Sequence, residues 1–391
     1  MWRYFSVIAT ILAIFLSLYP RIVEIDHTSK GANDVPNSLY YQYSNDSDFK
    51  MFLKYSEMFT SEVDPDTPSQ LVIIDRDIPS NLRENATFLM LCRNEDLFHV
   101  LETLQNVQDR YNNKYNYDYT FLNDQPFSQE FIYLVSSFIN HGRINFGSIP
   151  SSHWSYPKHI NIAKAEEIRH NYSNVPYGDS ESYRHMCRFY SGFFYLHPLV
   201  KQYQYYWRIE PEIKLYCDIN YDLFKYMREN NKKYAFALSL FEYADTIPTL
   251  WNNVIDYIRS ENIDTMPELL PLLLNKHNWY NLCHFWSNFE IANLDMFDDN
   301  YRKLFEFLDL KGGFYYERWG DAPIHSIAIA LYLRKNEVHW FNDLGYYHAP
   351  YSQCPQDHKI FIENKCVCNP DEDFSQTDLS CNRHFLEILP N

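Results

Sequence analysis

Glycine is scarce in this chain, 9 of 391 residues, and proline reaches only 19. Collagen-like and low-complexity architectures need one or both in quantity and are excluded. The glycine-rich phosphate loops are missing too. Neither G-x-G-x-x-G nor G-x-x-x-x-G-K-[ST] occurs, so neither that kind of dinucleotide site nor a P-loop is supported. Basic residues are few, 34 Lys+Arg against 51 Asp+Glu, for a formal charge of −17. A broad nucleic-acid footprint needs clustered Lys and Arg, so no nucleic-acid partner is expected. One nucleotide, held by a few cations or a metal, stays open. No internal repeat is found.

What is present is apolar and aromatic. Hydrophobic residues make up 46% and aromatics 18%, with 34 Tyr, 28 Phe and 8 Trp. A large core follows, and aromatic faces also suit sugar rings. The run from Phe5 to Tyr19 carries no charge, with Arg3 before it and Pro20-Arg21 after it. It is near the lower length for a membrane-spanning helix, and the positive charge favours a cytosolic N-terminus. The expected layout is a cytosolic end at 1–4, a signal anchor at 5–20, a lumenal stem at 21–80 and a catalytic domain at 81–391. A cleaved signal peptide competes, although no A-x-A-like site of small residues follows the run. Either places the rest of the chain in the secretory lumen. Eight cysteines and the sequons at Asn45, Asn85 and Asn171 agree with that compartment.

From about residue 85 the pattern turns regular. ATFLMLCRN (86–94) reads as a buried strand and 96–111 as a helix. YDYTFLND (117–124) reads as a second strand, and 128–140 as a second helix. This β-α-β-α series predicts an α/β fold with a mostly parallel central sheet covered by helices. Ligands in such sheets lie beyond the carboxyl ends of the strands. That position makes Arg93-Asn94 and Asn123-Asp124 candidates for nucleotide contacts, with ordinary loop polarity as the alternative. The stretch 182–199 reads as a helix leading to a strand. YYWRIEPEIKLYCDINYD (205–222) reads as strand, proline break and strand, with Glu210, Glu212, Asp218 and Asp222 as its acids. A divalent ion beside a diphosphate needs such hard oxygen ligands; a solvated hairpin would look the same. Glu290 lies among Phe285, Trp286 and Phe289, either in a partly dry pocket or on an exposed helix. CVCNPDEDFSQTDLSC (366–381) lacks C-x2-C spacing, so disulfides are expected there rather than zinc.

Seven blocks in one order carry a resemblance. They are RENATF (83–88), YNYDYTFLND (115–124), YGDSESYRHMCRFYSGFF (177–194), YWRIEPEIKLYCDINYD (206–222), YNLCHFWSNFEIANLD (280–295), GGFYYERWGDAPIHS (312–326) and GYYHAP (345–350). Together they resemble the fungal α-1,2-mannosyltransferases of glycosyltransferase family 15, over roughly residues 80–360. The resemblance implies a GT-A-like nucleotide-sugar transferase, anchored as a single-pass type II protein of the Golgi membrane. It implies Mn2+ and transfer of mannose from GDP-mannose, with retention, to a mannosylated glycoprotein or α-mannoside acceptor. Glu290 of the NFE motif falls on the family's nucleophile. Glu210 of the EPxIK motif and His348 of the YYHxP motif fall on its metal contacts, with Glu212 as an extra carboxylate nearby. Arg93 and Tyr183 match positions around the donor, where Asp124 and Asp218 are also expected. Arg318, Trp319 and Asp321 match the RWGD block and are expected at the sugar.

Retention allows two routes. Glu290 attacks the anomeric carbon, as in retaining glycoside chemistry, or it stabilises an oxocarbenium-like centre while the acceptor enters on the departure face. Transfer of mannosyl phosphate, a secreted glycosidase and a non-catalytic mannan-binding wall protein are the competing functions.

Overall fold

Five of the six side chains of the strand Ala86–Leu91 are buried, and Asp118–Asn123 buries all six. Two-sided burial marks central parallel strands. In this computed structural model, which describes residues 57–58, 64–76, 83–263 and 267–389, both strands lie in the middle of a nine-stranded sheet. Its order is 57–58, 70–75, 143–148, 118–123, 86–91, 205–208, 290–293, 234–236 and 338–340. The four strands from Arg143–Ser148 to Tyr205–Arg208 are mutually parallel. Glu290–Asn293 runs antiparallel between Tyr205–Arg208 and Tyr234–Phe236. Gln70–Asp75 runs antiparallel on the other flank.

Gln70–Asp75 lies inside the stretch read from sequence as stem. Gln70 and Val72 are buried while Ile73 and Asp75 face solvent. That alternation suits a strand with one covered face, so the sheet starts upstream of residue 81. The anchor at 5–20 lies outside the described residues. Among the described residues no helix is long and apolar enough to cross a membrane.

Alternation also sorts the two faces of the sheet. Phe88 stacks on Tyr119 at 4.8 Å and meets Trp207 and Phe224 on one face. Leu89, Leu122, Tyr206 and Tyr234 point to the other, into the main core. Helices Glu181–Gly192, Asp299–Asp309 and Asp321–Tyr332 cover this second face. Eleven of the twelve residues of Asp321–Tyr332 are buried, as its nearly uniform apolar composition requires. The expected strand near 199 does not form. Phe194–Leu196 is a short 3-10 turn, and the chain becomes extended again at Tyr205.

A second, three-stranded sheet joins Lys214–Leu215, Tyr346–His348 and Tyr351–Ser352. The C-terminal segment is fastened by Cys217–Cys366, Cys283–Cys381 and Cys354–Cys368, and Cys92 and Cys187 stay buried and unpaired.

Candidate active site

The strand Tyr205–Arg208 ends on a buried arginine. The Arg208 guanidinium donates from Nη1 to Asp321 Oδ2 at 2.5 Å. It also donates from Nε and Nη2 to Glu210 Oε1 at 3.0 and 2.6 Å. Its plane lies 3.6 Å from the ring centre of Tyr190. Asp321 opens the helix Asp321–Tyr332 and takes a further bond from the Ser287 hydroxyl at 2.7 Å. Burial alone raises the Asp321 carboxyl, but Arg208 outweighs it and the pKa is lowered.

Glu210 turns its second oxygen to His348, Oε2 to Nε2 at 3.3 Å. Burial is outweighed here too, by Arg208 and His348, which hold the Glu210 carboxyl down at about 2. His348 Nδ1 lies 3.0 Å from the Ala349 carbonyl. A carbonyl only accepts, so Nδ1 carries the hydrogen, and the Nε2 position points at the Glu210 carboxylate. Two such groups face each other stably only with a cation between them, a proton or a metal. A backbone carbonyl fixing the far nitrogen is also how metal-binding histidines are oriented. The donor set, one carboxylate and one imidazole, suits a divalent ion such as Mn2+. Among the described residues no group of three or more His, Cys, Asp or Glu side chains converges on a metal position. Glu212 is not a third ligand: it adopts a left-handed backbone (φ 69°) and pairs with His99 at 3.2 Å.

A second group of expected residues surrounds the start of helix Glu181–Gly192. Arg93, half-exposed just past its strand, bonds the Ser182 hydroxyl. Asp124, past the next strand, lies within electrostatic reach of His185. The Tyr183 ring stacks on Tyr177 at 4.7 Å, and its hydroxyl accepts from Arg318 Nη1 at 3.1 Å. Arg318 also donates to Glu242 at 3.0 Å.

Three expected residues have surroundings that the sequence did not indicate. Asp218 forms ion pairs with Arg110 at 2.6 Å and Lys365 at 3.6 Å, next to the Cys217–Cys366 disulfide. Trp319 is fully buried against Gly313 and donates its indole N–H to Glu317 at 2.6 Å. It is core and offers no face to a sugar. Glu290 is not on an exposed helix or a pocket wall; it begins a central strand and is 0% exposed. Its Oε1 accepts from Tyr206 at 2.8 Å, and its Oε2 from Tyr234 at 3.2 Å and His325 at 3.0 Å. The carboxylate is enclosed, not presented. Its strand partner in the sheet is Arg208, so the two side chains lie side by side on one face of the sheet.

A family model described as glycolipid 2-alpha-mannosyltransferase matches residues 42–389. The chain belongs to this family. The probable mannosyltransferase MNT3 of Candida albicans is 62% identical over 382 residues, 97% of this chain and 98% of that protein. The alpha-1,2 mannosyltransferase KTR1 of Saccharomyces cerevisiae is 48% identical over 320 residues, 78% of this chain and 79% of the relative. Among solved structures, core-mannan synthase A (CmsA/Ktr4) of Aspergillus fumigatus in its Mn/GDP form superposes with a TM-score of 0.74 at 34% identity, covering 80% of this chain and 87% of the other. The mannosyltransferase Ktr4p of S. cerevisiae in complex with GDP gives 0.74 at 33%, covering 93% and 94%. The family thus fixes the α/β fold with its mostly parallel sheet and its helical cover.

Arg208, Glu242 and His325 were not singled out from sequence. Arg208 and His325 lie inside the blocks YWRIEP and GDAPIHS, beside residues that were. A lone Arg or His in an apolar run gives no sign of a distant partner: Asp321 is 113 residues from Arg208, and Glu290 is 35 from His325.

Proposed function

We propose that the chain is a retaining α-1,2-mannosyltransferase of the family, which takes mannose from GDP-mannose and adds it to an α-mannoside of a glycan. One observation carries the reading: Arg208, at the carboxyl end of a parallel strand, ties Glu210 to Asp321 while Glu210 faces His348. The Glu210–His348 pair is the place for a divalent cation, Mn2+ by chemistry, which when bound neutralises charge on the departing diphosphate. Arg93, Asp124 and Tyr183, at the mouths of the strands, are the proposed donor contacts. Arg318 and Asp321 shape the sugar end through Tyr183 and Arg208.

In the reaction the C1–O bond to GDP breaks, a bond forms from C1 to the 2-oxygen of the acceptor, and the proton of that hydroxyl passes to the departing diphosphate oxygen. The enclosure of Glu290 favours departure and attack on one face over a covalent intermediate. Its charge, in a low-dielectric interior, stabilises an oxocarbenium-like centre without leaving its three hydrogen bonds. Glu290 is therefore read as a charge-stabilising group.

The proposed setting is the Golgi lumen, with the segment at 5–20 as anchor and 21 onward as the approach to the folded part. Three disulfides support an oxidising compartment. The test is incubation with GDP-mannose, Mn2+ and methyl α-mannoside or α-1,2-mannobiose, followed by linkage analysis and mass. An α-1,2 product one mannose heavier is expected. A product carrying phosphate, or no product with GDP-mannose, overturns the reading.

A further inference from the structure

Buried histidines reveal their charge by the partners of their two nitrogens. His197 Nε2 lies 3.1 Å from the Ser148 carbonyl, while Nδ1 accepts from the Leu199 amide at 3.2 Å. One donor and one acceptor make a neutral ring. His325 differs. Its Nε2 lies 3.0 Å from the Tyr190 carbonyl and its Nδ1 lies 3.0 Å from Glu290 Oε2. The carbonyl only accepts, so Nε2 carries a hydrogen. The carboxylate only accepts, so a second proton must lie between Nδ1 and Oε2. The two side chains are 1% and 0% exposed, so no water takes over either bond.

The contacts continue outward. Tyr190, whose carbonyl receives His325, places its ring 3.6 Å from the Arg208 guanidinium. Arg208 in turn holds Asp321 and Glu210. One unbroken line of hydrogen bonds and stacking therefore runs from Glu290 through His325, Tyr190 and Arg208 to Glu210, which faces His348. Stability alone does not explain a sealed charge pair here, because apolar packing of the same volume is generally at least as stabilising. Ile324, Ile327, Ala328 and Ile329 of the same helix are buried and apolar, and a residue of that kind would have filled the space.

We propose that His325 is a positioning residue for the transfer: held between the Tyr190 carbonyl and the Glu290 carboxylate, it keeps Glu290 in one charged orientation and couples it to Arg208 through Tyr190. This rests on the role given to Glu290 above.

The test uses the full chain and three variants, His325→Gln, Glu290→Gln and the double. His325→Gln is expected to lower kcat by about 100-fold, the scale of one lost charge-stabilising contact. KM for GDP-mannose should stay within about threefold, and the double variant within about threefold of Glu290→Gln, since both act through one group. Loss of turnover in Glu290→Gln with near-normal kcat in His325→Gln sinks the inference alone, as does multiplication of the two losses in the double. Near-normal turnover in Glu290→Gln sinks the underlying role of Glu290 instead. Should His325→Gln fail to fold, NMR of the 15N-histidine-labelled wild type decides. A sealed imidazole with both nitrogens protonated at pH 8, lost in Glu290→Gln, is expected; its absence from the wild type overturns the proposal.

Discussion

Arg208 and Asp321 meet at 2.5 Å, with 3% and 6% of their side chains exposed. They join the end of a central strand to the first residue of the most buried helix, and so bring the EPxIK and RWGD blocks to one point. Glu210, which faces His348, and the helix that carries His325 are both tied to Arg208.

Removing one partner leaves the other charge buried. Asp321→Asn is expected to cost about 3 kcal/mol of stability, the scale for a broken buried pair. Arg208→Lys keeps the charge but cannot reach Glu210 and Asp321 with a fork, so it should fold and lose most turnover. Denaturant titration and steady-state rates check both; full activity in Arg208→Lys would contradict the shared anchoring of the two carboxylates.

Trp319→Phe separates core from sugar site. It removes buried volume and the donor to Glu317, and is expected to lower stability by roughly 2–4 kcal/mol. The folded enzyme should keep its KM for the α-mannoside acceptor. A large rise in that KM without loss of stability would return Trp319 to the sugar.

Glu210→Gln and His348→Ala each remove one of two donors. Each is expected to weaken Mn2+ binding by roughly 100-fold or more, beyond what loss of an outer-shell partner costs. The electron paramagnetic resonance signal of free Mn2+ reads this directly, without turnover. Unchanged Mn2+ uptake in both variants would refute the pair as the metal position.

His197 gives a pH dependence with a definite sign. Burial pushes its pKa down to about 4, below the ordinary value of about 6.5. Between these values the unfolded chain binds a proton that the folded chain refuses, so stability rises with pH across the window. The contribution is fully present above about pH 6.5 and lost as pH falls towards 4, about 3 kcal/mol in all. His197→Asn should flatten the stability curve between pH 4 and 6.5 by about one proton. An unchanged slope would show that His197 does not stay neutral in the fold.

Much of the architecture was legible. The strands at 86–91 and 118–123 and the helices between them follow from apolar period alone, because a parallel strand buries both faces and a covering helix only one. The family blocks named Glu210 and His348, and the structure brings them together. The surroundings of Trp319 and Asp218 were not legible for a common reason: a residue type suited to sugars or metals is equally suited to a core or an ion pair. Gly313, six residues before Trp319, leaves room for its ring, which only the fold shows; Arg110 and Lys365, which pair with Asp218, are more than 100 residues away in sequence.

Composition and local order determined the fold class and the family, since these depend on period and on unusual strings of neighbours. Only the tertiary structure decided which carboxylates are paired, which are sealed and which face a histidine. Charge state and reach depend on the groups within about 3 Å of an atom, and folding draws those groups from distant parts of the chain.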